Sequence, residues 1–346
     1  MHDRYLYKSK VQKSKEGKLE MRNILVTGGA GFIGSYLCKA LVDKDLDVFC
    51  IDNLQRGNLE NIKPLVDKDN FTFINEDVCN QTKLEDIIKN NHIDYVFHLA
   101  ANTDLWESMK NPDIEHEYTF MTTKSLMNAM RNQGVHDMFF ASTSAIYGEQ
   151  TGDGFREEDK LFPISYYGAA KMASEAYIYA FAYMNNINVL IYRFSNIIGG
   201  SMTHGVIRDF ILRLQKTSDH LDVKGNGYQT KPYLHVTELI DAILMFPGTT
   251  KGIEIYNVGA TTCSNVRFIA NAVVNEMGLT GIPINYEERE NGWKGDVAHY
   301  EYNIDRIKAK GWNWKQNSDE AVLRTVHELV EELRDSNKER QLNSQL

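Results

Sequence analysis

Tyr167 and Lys171 stand four residues apart in the run Tyr166-Tyr167-Gly168-Ala169-Ala170-Lys171, a spacing that on a helix stacks both on one face. There an ammonium can lower the pKa of a phenol, ordinarily about 10, toward a working pH, so the pair reads as a proton-transfer device. Thr143, just after the apolar run Met138–Ser142, offers a hydroxyl to a substrate oxygen beside that phenol. Tyrosine and lysine four apart occur often by chance, and Tyr177, Tyr179 and Tyr183 show that tyrosines here also serve as packing. A second motif adds weight. Gly28, Gly31 and Gly34 have the spacing for a tight strand-to-helix turn, close backbone approach to a pyrophosphate and close packing of helix on strand. Amides opening the following helix then face the phosphates. The second strand ends in Asp52, eighteen residues beyond Gly34, where an acid accepts the ribose hydroxyls of an adenosine and repels a 2′-phosphate. NAD is therefore expected over NADP, a preference that nearby Arg56 weakens.

The elements that must hold these groups are legible as short apolar runs alternating with helical spacing from Arg22 onward. Candidate strands are Asn23–Thr27, Asp47–Asp52, Phe71–Asn75, Tyr95–Leu99, Met138–Ser142 and Asn188–Phe194. Six such strands with crossover helices predict an α/β fold, a Rossmann-type doubly wound parallel sheet. After Gly199 the rhythm changes to a helix at about Val206 to Lys216, a glycine-punctuated loop, a strand at Ile253–Val258, a helix from about Asn265 and a last helix from about Ser318 to Arg334. This predicts a smaller interleaved C-terminal α/β substrate lobe. The expected division is a flexible basic extension at 1–20, a cofactor domain at 21–198 with 234–262 returning to it, a substrate lobe at 199–233 and 263–335, and a charged tail at 336–346.

Composition narrows the classes. The 346 residues carry 47 acidic and 38 basic side chains, a formal charge of -9, which argues against a nucleic-acid partner. With 42% hydrophobic and 25% charged residues the chain has the make-up of an ordinary globular protein. No run approaches the roughly 20 apolar residues of a membrane span, and no signal peptide is recognisable, so a cytoplasmic location is expected. Cys38, Cys50, Cys79 and Cys263 are scattered and the ten histidines dispersed, so neither a disulfide framework nor a metal site is expected.

Taken together, the sequence resembles the extended short-chain dehydrogenase/reductase family and, within it, the NAD-dependent nucleotide-sugar epimerases and dehydratases. The resemblance spans about Arg22 to Leu333 and rests on Thr27–Ser35, Val48–Asn58, Asp77-Val78, His98–Ala101, Ser142–Glu149, Tyr167–Lys171 and Arg193–Asn196. It implies cofactor contacts from Gly28, Gly31, Phe32, Ile33, Gly34, Asp52 and Asn53, adenine contacts from Asp77 and Val78, and a nicotinamide pocket lined by Leu99, Ala100 and Ala101. It further implies Thr143 as the family's Ser/Thr, Tyr167 as acid/base and Lys171 as ribose ligand and phenol modulator. On the substrate side it implies Asn196 against a diphosphate, Val206 on the helix beside the nucleobase, and Lys231 and Lys294 as cations. Departures are Thr119 and Asn291 where the family carries asparagine and arginine, and bulky Trp106 between Asp104 and Glu107 where the sugar should lie.

In this family oxidation of a sugar carbon gives a keto-sugar, whose fate differs by subfamily. Dehydratases need an acid pair directly after the threonine, and decarboxylases a glutamate there; this chain has Ser144 and Ala145. The expected activity is C4 epimerisation of a nucleotide-diphosphate hexose. The alternatives are a 2-epimerase or 4-oxidase/4-ketoreductase, less favourably a dehydratase or decarboxylase, and from another class a non-catalytic NAD-binding sensor or scaffold. The helices at about Asp113 to Arg131 and Tyr167 to Met184 have more apolar positions than one face needs, and by resemblance pair across a two-fold axis into a homodimer's four-helix bundle.

Overall fold

Alternate residues of each buried strand point to opposite faces of a sheet, so a strand apolar on both parities must be covered on both sides. In the computed structural model the described residues are 22–149, 154–245, 248–290 and 292–343, with side chains described through Asp335. The basic extension at 1–20 and Asn291 lie outside them. In chain order the strands are β1 (Asn23–Thr27), β2 (Asp47–Asp52), β3 (Phe71–Asn75), β4 (Tyr95–His98), β5 (Asp137–Thr143), β6 (Asn188–Phe194), β7 (Asn196–Ile198), β8 (Leu221–Val223), β9 (Thr230–Lys231), β10 (Tyr233–His235), β11 (Ile253–Val258), β12 (Ser264–Asn265) and β13 (Ile284–Tyr286). The helices are α1 (Phe32–Val42), α2 (Gln81–Asn90), α3 (Leu105–Lys110), α4 (Asp113–Glu115), α5 (Met121–Gln133), α6 (Tyr166–Asn185), α7 (Val206–Lys216), α8 (Val236–Ile243), α9 (Val266–Glu276), α10 (Asp305–Lys308) and α11 (Ser318–Asn343).

Seven strands, not six, form the central sheet in the order β11-β6-β5-β4-β1-β2-β3, with every pairing parallel. The seventh is β11, which docks on β6 and so returns the later chain to the first sheet. On one face Ile24, Val26, Phe97 and Phe139 pack with Leu37 and Leu41 of α1 and Leu239 of α8. On the other, Leu25, Val96 and Phe140 pack with Leu84 of α2, Leu126 and Met130 of α5 and Ile178 of α6. The order of connection reverses between β1 and β4, so their carboxyl ends open a crevice at the switch point, the position where ligands bind in such sheets. A third apolar cluster joins α7, α9 and α11 through Ile207, Phe210, Ile269, Val273, Val322 and Val326, alongside three two-stranded ribbons.

Two helices depart from their expected bounds. The last, α11, continues through Asn343 rather than ending at Arg334. The segment expected as one helix from Asp113 is broken into α4, a five-residue π turn at His116–Phe120, and α5, which Gly134 ends in the left-handed conformation (φ 73°).

A buried ion pair holds α6 against the sheet. Arg193 of β6 donates from Nη2 to Glu175 Oε2 at 2.7 Å and from Nε to Oε1 at 3.1 Å, with both side chains almost fully buried. Replacing Arg193 by methionine strands the carboxylate, and the expected loss in urea-unfolding free energy is about 3–5 kcal/mol. The double variant R193M/E175L should recover much of it. A loss under about 1 kcal/mol, the range of an exposed pair, would show that this contact does not anchor the helix.

Candidate active site

The glycine turn is shaped by what cannot fit there. Gly28 has φ +71°, and a Cβ on it would lie 2.8 Å from the Ala100 amide nitrogen. A Cβ on Gly34 would strike the Gly28 carbonyl oxygen and stand 2.8 Å from Gly29 Cα. The loop thus brings bare backbone to the carboxyl end of β1, and α1, with Phe32 and Ile33 in its first turn, presents its N-terminus there. Asp52, 7% exposed at the end of β2, accepts the Ala30 amide at 3.1 Å and the Leu54 amide at 2.8 Å. Burial pushes its carboxyl above the ordinary range, and the two amides oppose that shift. Asn53 donates to Asp77 Oδ2 at 3.0 Å across the ends of β2 and β3, beside buried Val78. Leu99 and Ala100 are tied to β1 through Thr27, whose carbonyl accepts the Leu99 amide at 3.1 Å and whose hydroxyl oxygen accepts the Ala100 amide at 3.3 Å. A cradle that any Cβ would fill, helix amides and an acid at one edge fit a dinucleotide.

Next to this crevice Ser165 caps α6 by accepting the Gly168 amide at 3.1 Å, and Tyr166 is left half exposed while Tyr167 turns inward. The Tyr167 phenol faces Thr143, which ends β5 and whose hydroxyl oxygen accepts the Ala145 amide at 3.2 Å. Lys171 is 3% exposed; its ammonium donates to the Ala141 carbonyl at 2.8 Å and lies 4.8 Å from the centroid of the Phe140 ring. Burial pulls it down to about 8, against the opposing pull of Glu115 and Glu175. The phenol departs from expectation. Burial and then the Glu115 charge push it up, with only Thr143 opposing, while the lysine head is engaged by the Ala141 carbonyl.

The proposed substrate residues are gathered less tightly. Asn196 donates to the Tyr300 hydroxyl oxygen at 3.0 Å, and the Ser144 and Tyr300 hydroxyls are 3.1 Å apart. Tyr300, buried, therefore enters the site from a loop whose sequence carries no recognisable motif. Val206 opens α7 directly after Gly205. Lys231 is not a free cation: its ammonium is paired with buried Asp296 of the Gly292–Val297 stretch, while Lys294 is exposed. Asp104 and Glu107, the two acids flanking Trp106, are both held by Arg56, with the Asp104 contact at 3.2 Å. Trp106 itself stands 6.1 Å from Trp293, and the Lys224 ammonium lies 4.0 Å from a Trp106 ring centroid.

One group gave no signal in the sequence. Glu115, 2% exposed, accepts Asn102 Nδ2 at 2.8 Å and the Thr119 hydroxyl at 2.7 Å, and is bound by Ser108 as well. A glutamate in a polar run of sequence carries no mark of burial.

Asp52→Ala should weaken NAD binding by about tenfold or more, the value of a hydrogen bond to a charged group, and narrow the gap to NADP in a calorimetric titration of both. Equal or tighter NADP binding by the unaltered protein would refute the role given to Asp52.

Comparison with known proteins agrees with this geometry. The model of the NAD dependent epimerase/dehydratase family matches residues 24–259. UDP-arabinose 4-epimerase 1 of Arabidopsis thaliana is 30% identical over 318 residues, covering 84% of this chain and 75% of that protein. dTDP-D-glucose 4,6-dehydratase of Mus musculus is 28% identical over 320 residues, covering 88% of each. The crystal structure of Thermus thermophilus UDP-glucose 4-epimerase in complex with NAD superposes with a TM-score of 0.78 at 27% identity, covering 88% of this chain and 98% of that one. With the glycine cradle, the acid of β2 and the seven-stranded parallel sheet in place, the chain belongs to the NAD dependent epimerase/dehydratase family, an extended short-chain dehydrogenase/reductase fold with NAD as its cofactor.

Proposed function

We propose that the protein inverts C4 of a nucleotide-diphosphate hexose through a 4-keto-sugar. The Gly28–Gly34 turn and Asp52 would hold NAD, which would supply the acceptor, and then the donor, for the hydride of the sugar carbon. In this reading Tyr167 takes the proton from the sugar hydroxyl and later restores it, Thr143 holds the same sugar oxygen by hydrogen bond, and Lys171 holds the cofactor ribose and carries positive charge beside the phenol. Because burial keeps the phenol protonated in the geometry described, the base forms only once ligands reorganise the lysine, as catalytic contacts often tighten in the complex.

The observation that carries epimerisation over elimination is the make-up of the turn after Thr143. Ser144 spends its hydroxyl on Tyr300, and Ala145 has no functional group, so the turn after β5 provides no carboxylate to remove water or carbon dioxide from the ketone. An epimerase needs none, provided the ketone turns over and accepts the hydride on its other face. Relatives of both kinds, a UDP-arabinose 4-epimerase and a dTDP-D-glucose 4,6-dehydratase, support the substrate class without choosing between the reactions.

Incubation with UDP-, GDP-, CDP- and dTDP-hexoses in deuterated water, followed by NMR, should show inversion at C4 with no deuterium uptake. Deuterium beside the ketone, loss of the 6-hydroxyl or net NADH formation would replace this reading by enolisation, dehydration or dehydrogenation. Tyr167→Phe should slow turnover by a hundredfold or more, in line with about 10²–10⁴ for acid–base groups, while NAD stays bound. Unchanged function in that variant would favour a sensor.

A homodimer through α6 belongs to the same proposal. Leu126, Met130, Ile178 and Phe181 are spent on the chain's own core. What α6 leaves outside is Ala169, Ala173, Ala176, Ala180 and Tyr183, spaced as a coiled-coil seam, with Tyr183 85% and Met184 76% exposed. Small residues let a second helix approach closely, and two such seams related by a two-fold axis bury each other. Sedimentation at micromolar concentration should give a dimer and Tyr183→Lys a monomer; a monomeric unaltered protein overturns the proposal.

A further inference from the structure

We propose that Glu115 is a positioning residue of the Tyr167–Lys171 pair, a counter-charge fixed in the protein interior that couples the protonation of both. The inference rests on reading those two residues as the acid/base pair. Glu115 and Thr119 stand four apart on the helical stretch that joins α4 to the π turn, both on its buried face, and Thr119 donates to Oε2 at 2.7 Å. Asn102 and Ser108, from the segment after the β4 end and from α3, bind Oε1. Three neutral donors thus hold the carboxylate in one place. Among the described residues no lysine or arginine pairs with it directly, and α4 and the π turn pack against α6, which carries Tyr167 and Lys171, so its charge faces both.

The charges around the pair leave Glu115 as the uncompensated one. On α6 Glu175 also faces Lys171, but Arg193 binds it at both oxygens. On β4 His98 is held neutral, pushed down to about 3 by burial and then by Lys171. On the α3 side Asp104 and Glu107 are occupied by Arg56. On the π turn His116 and Glu117 are exposed. A buried negative charge opposes ionisation of the phenol and favours the ammonium, so it raises both titrations. Removing it lowers both.

In the NAD-loaded protein, the tyrosinate absorbance of Tyr167 is obtained by subtracting the Tyr167→Phe titration. The midpoint should fall by about one pH unit or more in Glu115→Gln, as loss of a nearby like charge requires, and stay near the original in Glu115→Asp. Both limbs of the kcat/KM profile on the sugar identified by NMR should move to lower pH with it. Glu115→Met, which needs no donors, gives the same reading if the glutamine variant does not fold. An unmoved midpoint in either folded variant overturns the inference. If no nucleotide sugar is turned over, the proposed reaction fails, yet the absorbance titration still decides the role of Glu115.

Discussion

The site depends on the seating of α6 on the sheet, which apolar packing and the Lys171 bond to Ala141 support and the two-pronged contact of Arg193 with Glu175 directs. A slide or roll by a fraction of a turn would carry Tyr167 and Lys171 away from β5. Glu175 sits one turn beyond Lys171, and its carboxylate is also bound by Ser142, the residue immediately before Thr143. Ser142 and Arg193 are partners in the register of β5 and β6. One carboxylate therefore fixes the helix against two strands at the level of the reacting groups. The remaining guanidinium donors reach the Tyr147 hydroxyl at 2.9 Å and the Glu157 carbonyl at 3.0 Å, and Tyr147 passes the constraint to Asn257 of β11 at 2.7 Å. A buried pair seldom adds net stability over apolar residues of the same volume. Its use here is directional, because a guanidinium fork accepts its partner in one geometry only.

A second buried chain of hydrogen bonds does the same for the cofactor side. The Thr123 hydroxyl donates to the Thr119 carbonyl at 3.1 Å, so its oxygen accepts from His98 Nε2 at 3.0 Å. Nδ1 of the neutral ring then accepts from the Thr27 hydroxyl at 2.7 Å, and Thr27 in turn accepts from Ala100. One direction of donation satisfies every member and assigns the proton of His98 to Nε2. The chain runs from the end of β1, through β4, to α5, and reaches Glu115 through the Thr119 hydroxyl. The glycine turn and the Tyr167–Lys171 pair are thereby braced from opposite flanks by polar contacts that burial makes costly to break.

What could be read in advance divides along physical lines. The strands were legible because a parallel sheet covered on both faces demands unbroken apolar runs, and the glycine turn because only glycine avoids the Ala100 backbone. Tyr167 could be told from Tyr166 by helical spacing alone. Glu115 could not be found, since a buried carboxylate is marked by its donors, and two of these, Asn102 and Ser108, reach it from other elements. The same holds for Tyr300, which arrives from a distant loop. Spacing shows which side chains share a face of one element; it is silent on what another element brings to them.

The charge of Lys231 shows why whole-chain composition was a poor guide to the ligand. A lysine waiting alone in a partly enclosed pocket would suffer desolvation without compensation. Asp296 relieves that cost, both side chains being largely buried. An ammonium has three donors and the carboxylate occupies one, so Lys231 can still offer hydrogen bonds to an anion although the net charge presented is small. A diphosphate bound here, as proposed, would be held by directed hydrogen bonds more than by Coulomb attraction. The glycine turn obeys the same rule at the other end of the crevice, where neutral amides and a helix N-terminus do the work of cations. A chain of net charge -9 can accommodate two anionic ligands on these terms, because what holds each phosphate is local geometry and the bulk charge is left free to keep polyanions away.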